Sequence, residues 1–183
     1  MKKVLATLLL TASMSAYSVE PTFSNEQLDN LQFAYAFGEQ FQKSGKFKEH
    51  NNRYDNNGLG YIMAGLVWQE SSAGIMTGHN KDKHHAYGMF QNYLPTLRAR
   101  TEQMGWKMSD KEIIKMVQKR SHSATWAYIE LSYWLERHKG DMRKAIASYN
   151  AGNNWKAGNG YAGEVIAKAN YLKSNKMLQQ LVD

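Results

Sequence analysis

Leu59-Gly60-Tyr61-Ile62-Met63-Ala64-Gly65-Leu66-Val67-Trp68-Gln69-Glu70-Ser71-Ser72 is the stretch on which both the fold and the chemistry turn. Ile62, Met63, Leu66 and Val67 recur at helical spacing, which predicts a helix from about Leu59 to Ser72 with these four on one face. Glu70 lies seven residues after Met63, four after Leu66 and three after Val67, so it shares that apolar stripe. A carboxyl group there loses water. Burial disfavours its charged form and raises its pKa toward the range a general acid uses near neutral pH. On helix geometry alone, a helix-end carboxylate paired with a lysine carries more weight than a catalytic acid.

The same periodicity extends outward in both directions. Ser24-Asn25-Glu26-Gln27 has the form of a capping box opening a helix that runs to about Gly45, and the polar segment Lys46 to Gly58 is a loop. Ile75 to Gln91, with Gly78, three histidines and Gly88, is too irregular for a helix and is expected to form an active-site loop or small hairpin. Pro95 suits the first turn of a third helix that Gly105 terminates. Ser109-Asp110-Lys111-Glu112 caps a fourth. Thr125 to His138 forms a fifth, Asp141 caps a sixth ending at Asn150-Ala151-Gly152, and a last helix runs from about Gly160 to Gln180. With two prolines and no internal repeat in 183 residues, the expectation is an all-α, mainly helical fold: one compact domain around one core.

The N-terminus has a separate character. Lys2 and Lys3 precede the apolar run Val4 to Leu10 and the small residues around Ala16-Tyr17-Ser18, the pattern of a secretory signal peptide cleaved after Ser18 or, alternatively, Ala16. The run is well short of the ~20 residues that cross a bilayer, which argues against a permanent membrane anchor. The expected division is therefore a signal peptide over 1–18 and a mature domain over 19–183, exported to the periplasm. The absence of cysteine excludes disulfides, thiolate zinc sites, a cysteine nucleophile and a lipid-modified cysteine anchor. A formal charge of +7 favours anionic partners without choosing among nucleic acid, a membrane surface and the bacterial wall.

Three short motifs follow one another along the chain: Gln69-Glu70-Ser71, Gly88-Met89-Phe90-Gln91, and Ala147-Ser148-Tyr149-Asn150-Ala151-Gly152. With Tyr161 and Val165 after them, this order resembles the soluble lytic transglycosylases, relatives of goose-type lysozyme, over about Leu59 to Ala169. The resemblance implies a lysozyme-like fold and cleavage of peptidoglycan glycan strands between N-acetylmuramic acid and N-acetylglucosamine. It implies that Glu70 protonates the leaving oxygen and later takes a proton back, while Tyr149 hydrogen-bonds and orients that carboxyl. Ser71, Gln91 and Asn150 would contact the sugar, and Met89 and Tyr161 would wall the cleft. The substrate's own N-acetyl oxygen would attack the anomeric carbon, giving 1,6-anhydro ends with no cofactor and no metal.

The pattern departs from the family between Glu70 and Gly88, a longer gap than usual that holds His79, Asp82, His84 and His85 and no serine after Ser72. The family often places a serine here against the sugar acetamido group; Asp82 or His84 would replace it, or Asp82 would supply a second carboxylate and shift the chemistry toward hydrolysis. The histidines lack regular ligand spacing, and no thiol completes a zinc site. Trp68, Trp106, Trp126, Trp134 and Trp155 are candidate sugar-stacking surfaces, although Trp126 and Trp134 sit at helical positions that favour the core. Competing readings are a hydrolytic goose-type lysozyme, or a catalytically silent wall-binding part of a secretion, conjugation or phage assembly. A nucleic-acid binder is disfavoured by the export signal.

Overall fold

The computed structural model describes residues 20–40, 58–78 and 84–178. The signal-peptide segment, the loop over 46–57, His79 and Asp82 lie outside the described residues. Seven helices and one two-stranded hairpin make up the rest. They are α1 (Asn25–Gln40), α2 (Gly60–Ser71), β1 (Ala86–Tyr87), β2 (Asn92–Tyr93), α3 (Leu94–Gln103), α4 (Asp110–Val117), α5 (Arg120–Arg137), α6 (Met142–Ala151) and α7 (Asn159–Ser174). The chain is an all-α domain, with β1 and β2 antiparallel and Ala86 facing Tyr93. No helix among the described residues is long and apolar enough to cross a membrane.

Helix α2 is the centre of the molecule. It packs on α1 along one side and on α7 along the other, and seven of its twelve residues, Gly60, Met63, Ala64, Gly65, Leu66, Val67 and Ser71, are buried. Burial on two sides explains why its apolar residues spill beyond one stripe. Gly65 permits the close approach of α7, because a Cβ there would lie 2.8 Å from the Val165 carbonyl oxygen. Tyr35 and Tyr61 pack ring against ring across the α1 contact with centroids 4.8 Å apart.

Helix ends follow the local chemistry. Ser109 accepts from the Glu112 amide while the Glu112 carboxylate accepts from the Ser109 amide, so both halves of the capping box are made. Asp141 accepts from the Lys144 amide at 3.0 Å and opens α6. Two boundaries differ from the sequence expectation. Helix α5 begins at Arg120, five residues before Thr125, since Ser123 and Ala124 in its polar-looking first turn are buried. Helix α7 stops at Ser174 rather than near Gln180: the Asn175 side chain donates to the Tyr171 carbonyl at 2.9 Å and Lys176 takes a φ of 50°.

Two apolar clusters result. The larger joins α1, α2 and α7 to the inner faces of α5 and α6 around residues such as Leu31, Met63, Leu66, Phe90, Leu131 and Ile146. The smaller gathers Tyr87, Leu94, Leu97, Ile113, Val117 and Trp126 between the hairpin, α3, α4 and the start of α5. Gly88 sits where they meet. Its φ is +76°, and a Cβ would come within 2.2 Å of the Val117 carbonyl oxygen and 2.6 Å of the Ser123 hydroxyl. Gly88→Ala is therefore expected to destabilise the fold by roughly 2–4 kcal/mol, combining left-handed strain with overpacking. Gly160→Ala, at an open position in the first turn of α7, is expected to be neutral or slightly stabilising. Urea midpoints of the two variants check the contrast.

Candidate active site

A cleft of about 680 Å³ opens between the two clusters, walled by Glu70 from α2, the hairpin, α3, α5 and the C-terminal end of α6. Glu70 stands in the last turn of α2, where the apolar helix meets solvent. Loss of water pushes its pKa up from 4.5 to about 7, and a hydrogen bond from the Tyr161 hydroxyl pulls partly the other way. An unpaired carboxyl in a dry wall is half protonated near neutral pH, which suits a group that must give a proton and then take one.

The two tyrosines exchange the parts the resemblance gave them. Tyr161, in the first turn of α7, donates its hydroxyl to Glu70 Oε1. Tyr149 instead donates to the Phe90 carbonyl at 2.9 Å and lines the cleft beside Glu70. Both phenols are held well above their usual range, by burial first and by the Glu70 charge second, so both remain donors. Tyr149 fastens α6 to the hairpin turn, and Tyr161 orients the carboxyl. The swap is a matter of reach: the α6 tyrosine meets the turn Gly88–Gln91, and α7 lies directly along α2.

Ser71 and Met89 are also placed differently from the expectation. Ser71 is 1% exposed, and its hydroxyl donates to the Met89 carbonyl at 2.5 Å and accepts from the Gly74 amide at 2.9 Å. It has no access to a sugar. Met89 is buried in the larger cluster and does not line the cleft. Gln91 and Asn150 do line it. Gln91 adopts a φ of 46° at the end of the hairpin turn, and its amide group donates to the Gly88 carbonyl at 2.8 Å and the Thr77 carbonyl at 3.3 Å. The fixed amide leaves its side-chain oxygen as the acceptor for a ligand.

On the opposite wall only the tryptophans are among the sequence candidates; Glu130, Arg100 and Tyr93 are not. Trp126, Glu130 and Trp134 fall at four-residue intervals on α5 and all reach the cleft, together with Arg100 and Tyr93. Glu130 accepts from the Trp134 indole at 2.7 Å through one oxygen and from the Arg100 guanidinium at 3.2 Å through the other. The Arg100 guanidinium lies 3.9 Å from the centroid of the Tyr133 ring. The aromatic-acid-aromatic spacing was visible in the sequence, but Trp126 and Trp134, at 5% and 6% exposure, fitted a core reading equally well. His84 lines the cleft, and the described residues contain no cluster of three or more His, Asp or Glu placed to hold a metal ion.

Compared with known proteins, the chain is 61% identical over 183 residues, the whole of both sequences, to an uncharacterized 20.7 kDa protein of the vs-regB intergenic region of Enterobacteria phage T4. It belongs to that phage protein's family. No family model and no solved structure matches it. Identity at this level and over this span carries the fold across the family, whereas the chemistry has to be argued from the cleft.

Two outcomes follow from the Glu70 environment. The unfolded chain releases the Glu70 proton near 4.5 and the native state near 7, so the native state binds more protons between these values and stability falls as pH rises through that window. Glu70→Gln should thus be more stable than the parent at pH 8, by up to about 3 kcal/mol, with no advantage below pH 4, as read from denaturation midpoints. Tyr161→Phe removes the donor that favours the ionised form, so the Glu70 midpoint in a carboxyl-carbon NMR titration should rise above about 7. Tyr149→Phe should leave that hydrogen bond in place.

Proposed function

We propose that the chain is a peptidoglycan lytic transglycosylase with Glu70 as its single acid/base. The observation that carries the reading is a carboxyl with a pKa raised to about 7 by desolvation, oriented by Tyr161 in the wall of a cleft lined with aromatic and amide side chains. Protonated Glu70 gives its proton to the glycosidic oxygen as the bond to the muramoyl anomeric carbon breaks. The substrate's N-acetyl oxygen closes onto that carbon. Glu70, now ionised, removes the proton of the 6-hydroxyl, whose oxygen displaces the acetamido oxygen and forms the 1,6-anhydro ring. No water is consumed, and the carboxyl ends protonated as it began.

Hydrolysis of the goose-lysozyme kind would need a second carboxylate to activate water or to act as nucleophile. Glu130 is the other carboxylate lining the cleft among the described residues, and both of its oxygens are engaged by Arg100 and Trp134. That arrangement favours the single-carboxylate route. The export signal over 1–18 and the phage origin of the relative suit wall opening from the periplasmic side during entry or lysis.

Glu70→Gln keeps the shape and removes the titrating proton, so cleavage of purified murein should fall by at least about 10²–10⁴-fold with the fold intact. Wild-type products should be dominated by anhydro ends, one water lighter than lysozyme products. Reducing muramic ends in the mass spectra would replace the proposal with the hydrolase, and a folded wild type silent in murein zymography would replace it with a binding protein.

A further inference from the structure

The turn that follows Glu70 is wound the wrong way for most side chains. Ser72, Ala73 and Gly74 have φ values of 50°, 56° and 87°, three consecutive left-handed residues of which two carry a Cβ. Such a run is costly and persists only where its surroundings fix it. Two side chains of α1 do so from outside the cleft. The Gln27 amide donates to the Ser72 carbonyl at 3.0 Å and to the Ser72 hydroxyl at 3.3 Å. The Asn30 amide donates to the Ala73 carbonyl at 3.0 Å.

Each amide is itself oriented. Gln27 spends its side-chain oxygen on the Ser24 amide at 2.9 Å, completing the cap of α1 and leaving the nitrogen for the turn. Arg120, paired with Asp29, also donates to the Asn30 oxygen at 3.4 Å, which turns the Asn30 nitrogen toward Ala73. Space is fully used as well, since a Cβ on Gly74 would lie 2.5 Å from the Asn30 nitrogen. From inside, Ser71 holds the same turn to the hairpin.

We propose that Gln27 and Asn30 are positioning residues: by clamping the left-handed turn 72–74 they end α2 at Ser71 and hold the Glu70 carboxyl in the cleft wall against Tyr161. The inference rests on Glu70 being the group that acts in the cleft. Without the clamp the last turn of α2 unwinds toward solvent, and Glu70 leaves both its hydroxyl donor and its dry surroundings. Among the described residues, the titratable groups beside the carboxyl are Tyr161 from α7 and Tyr149 from α6, both held neutral by burial, with Glu164 beyond Tyr161 and His84, Arg100 and Glu130 elsewhere in the cleft lining. At the turn itself Asp29 and Arg120 neutralise one another.

The test uses Gln27→Ala and Asn30→Ala in the full mature chain, with folding checked by thermal unfolding. Each should lower kcat on soluble murein fragments by about three- to tenfold with KM within about twofold, the size of one net hydrogen bond's contribution felt only through the catalytic group. In the carboxyl-carbon NMR titration the Glu70 midpoint should fall by about half a unit or more toward the ordinary carboxylate value, as the group regains water. Gln27→Glu keeps the acceptor that caps α1 and sets an acceptor against the Ser72 carbonyl, so it should retain the α1 cap while releasing the turn and show at least the same kcat loss. Folded variants that lose stability yet keep both kcat and the Glu70 midpoint would overturn the proposal. Should the parent leave murein uncut, the proposed activity falls, while the titration still decides the positioning role.

Discussion

A carboxyl group carried to the dry end of a helix that is apolar on nearly every side imposes its cost on everything packed around it. Glu70 cannot be moved into water without unwinding α2, because the residues before it are pinned between α1 and α7. Nor does a cation among the described residues pair with it. Two buried tyrosines that stay uncharged stand beside it, one of them, Tyr161, donating its hydroxyl, so the carboxyl settles at a pKa where either protonation state is accessible. The neighbouring Gln69 shows the contrast: its amide accepts from Lys168 and donates to Glu164, 2.7 Å each, making an ordinary polar latch between α2 and α7 on the solvent side. One residue along the helix, the same backbone gives a structural tie and a titrating group.

Helix α5 determines the rest of the cleft. It contributes to both apolar clusters, with Leu131 and Leu135 in the larger and Trp126 in the smaller, and the groove between them runs along its Trp126, Glu130 and Trp134 stripe. Two carboxylates therefore share one cleft in opposite electrostatic circumstances. Glu130 is met by a guanidinium and an indole N–H, which between them occupy both of its oxygens. Glu70 is met by a single hydroxyl and by apolar side chains. Environment, rather than residue type, distinguishes them.

The helical periodicity, both capping boxes and the place of Pro95 were legible because each is a local signal: spacing on one face, or an oxygen three residues from an amide. The α2 stripe with Glu70 at its end belongs to the same class. Legibility failed where the partner lies far away in sequence. Nothing local distinguishes Tyr149 from Tyr161 as the donor to Glu70, since the difference is whether α6 or α7 runs beside α2. Ser71 looked like a ligand contact because a short motif records that a residue is present, without saying which way its hydroxyl turns. Arg100 and Glu130, thirty residues apart, have no motif at all, and their pairing emerges only when α3 is laid against α5. The start of α5 was misplaced for a related reason. Arg120 and Ser123 read as loop by polarity, yet Ser123 is buried to serve the Phe90 amide and the Asn92 side chain.

The bond from Ser71 to the Met89 carbonyl has a consequence for how this family can diverge. It joins the last residue of α2 to the hairpin turn without involving the identity of the Met89 side chain, because the acceptor is backbone. This tie therefore does not depend on the Met89 side chain, whereas any insertion or deletion that shifts the carbonyls of the turn would strand a buried hydroxyl and loosen the helix end that bears Glu70. The Glu-Ser and Gly-Met-Phe-Gln segments are therefore held as one mechanical unit through a backbone acceptor, although seventeen residues separate Glu70 from Gly88 in the sequence.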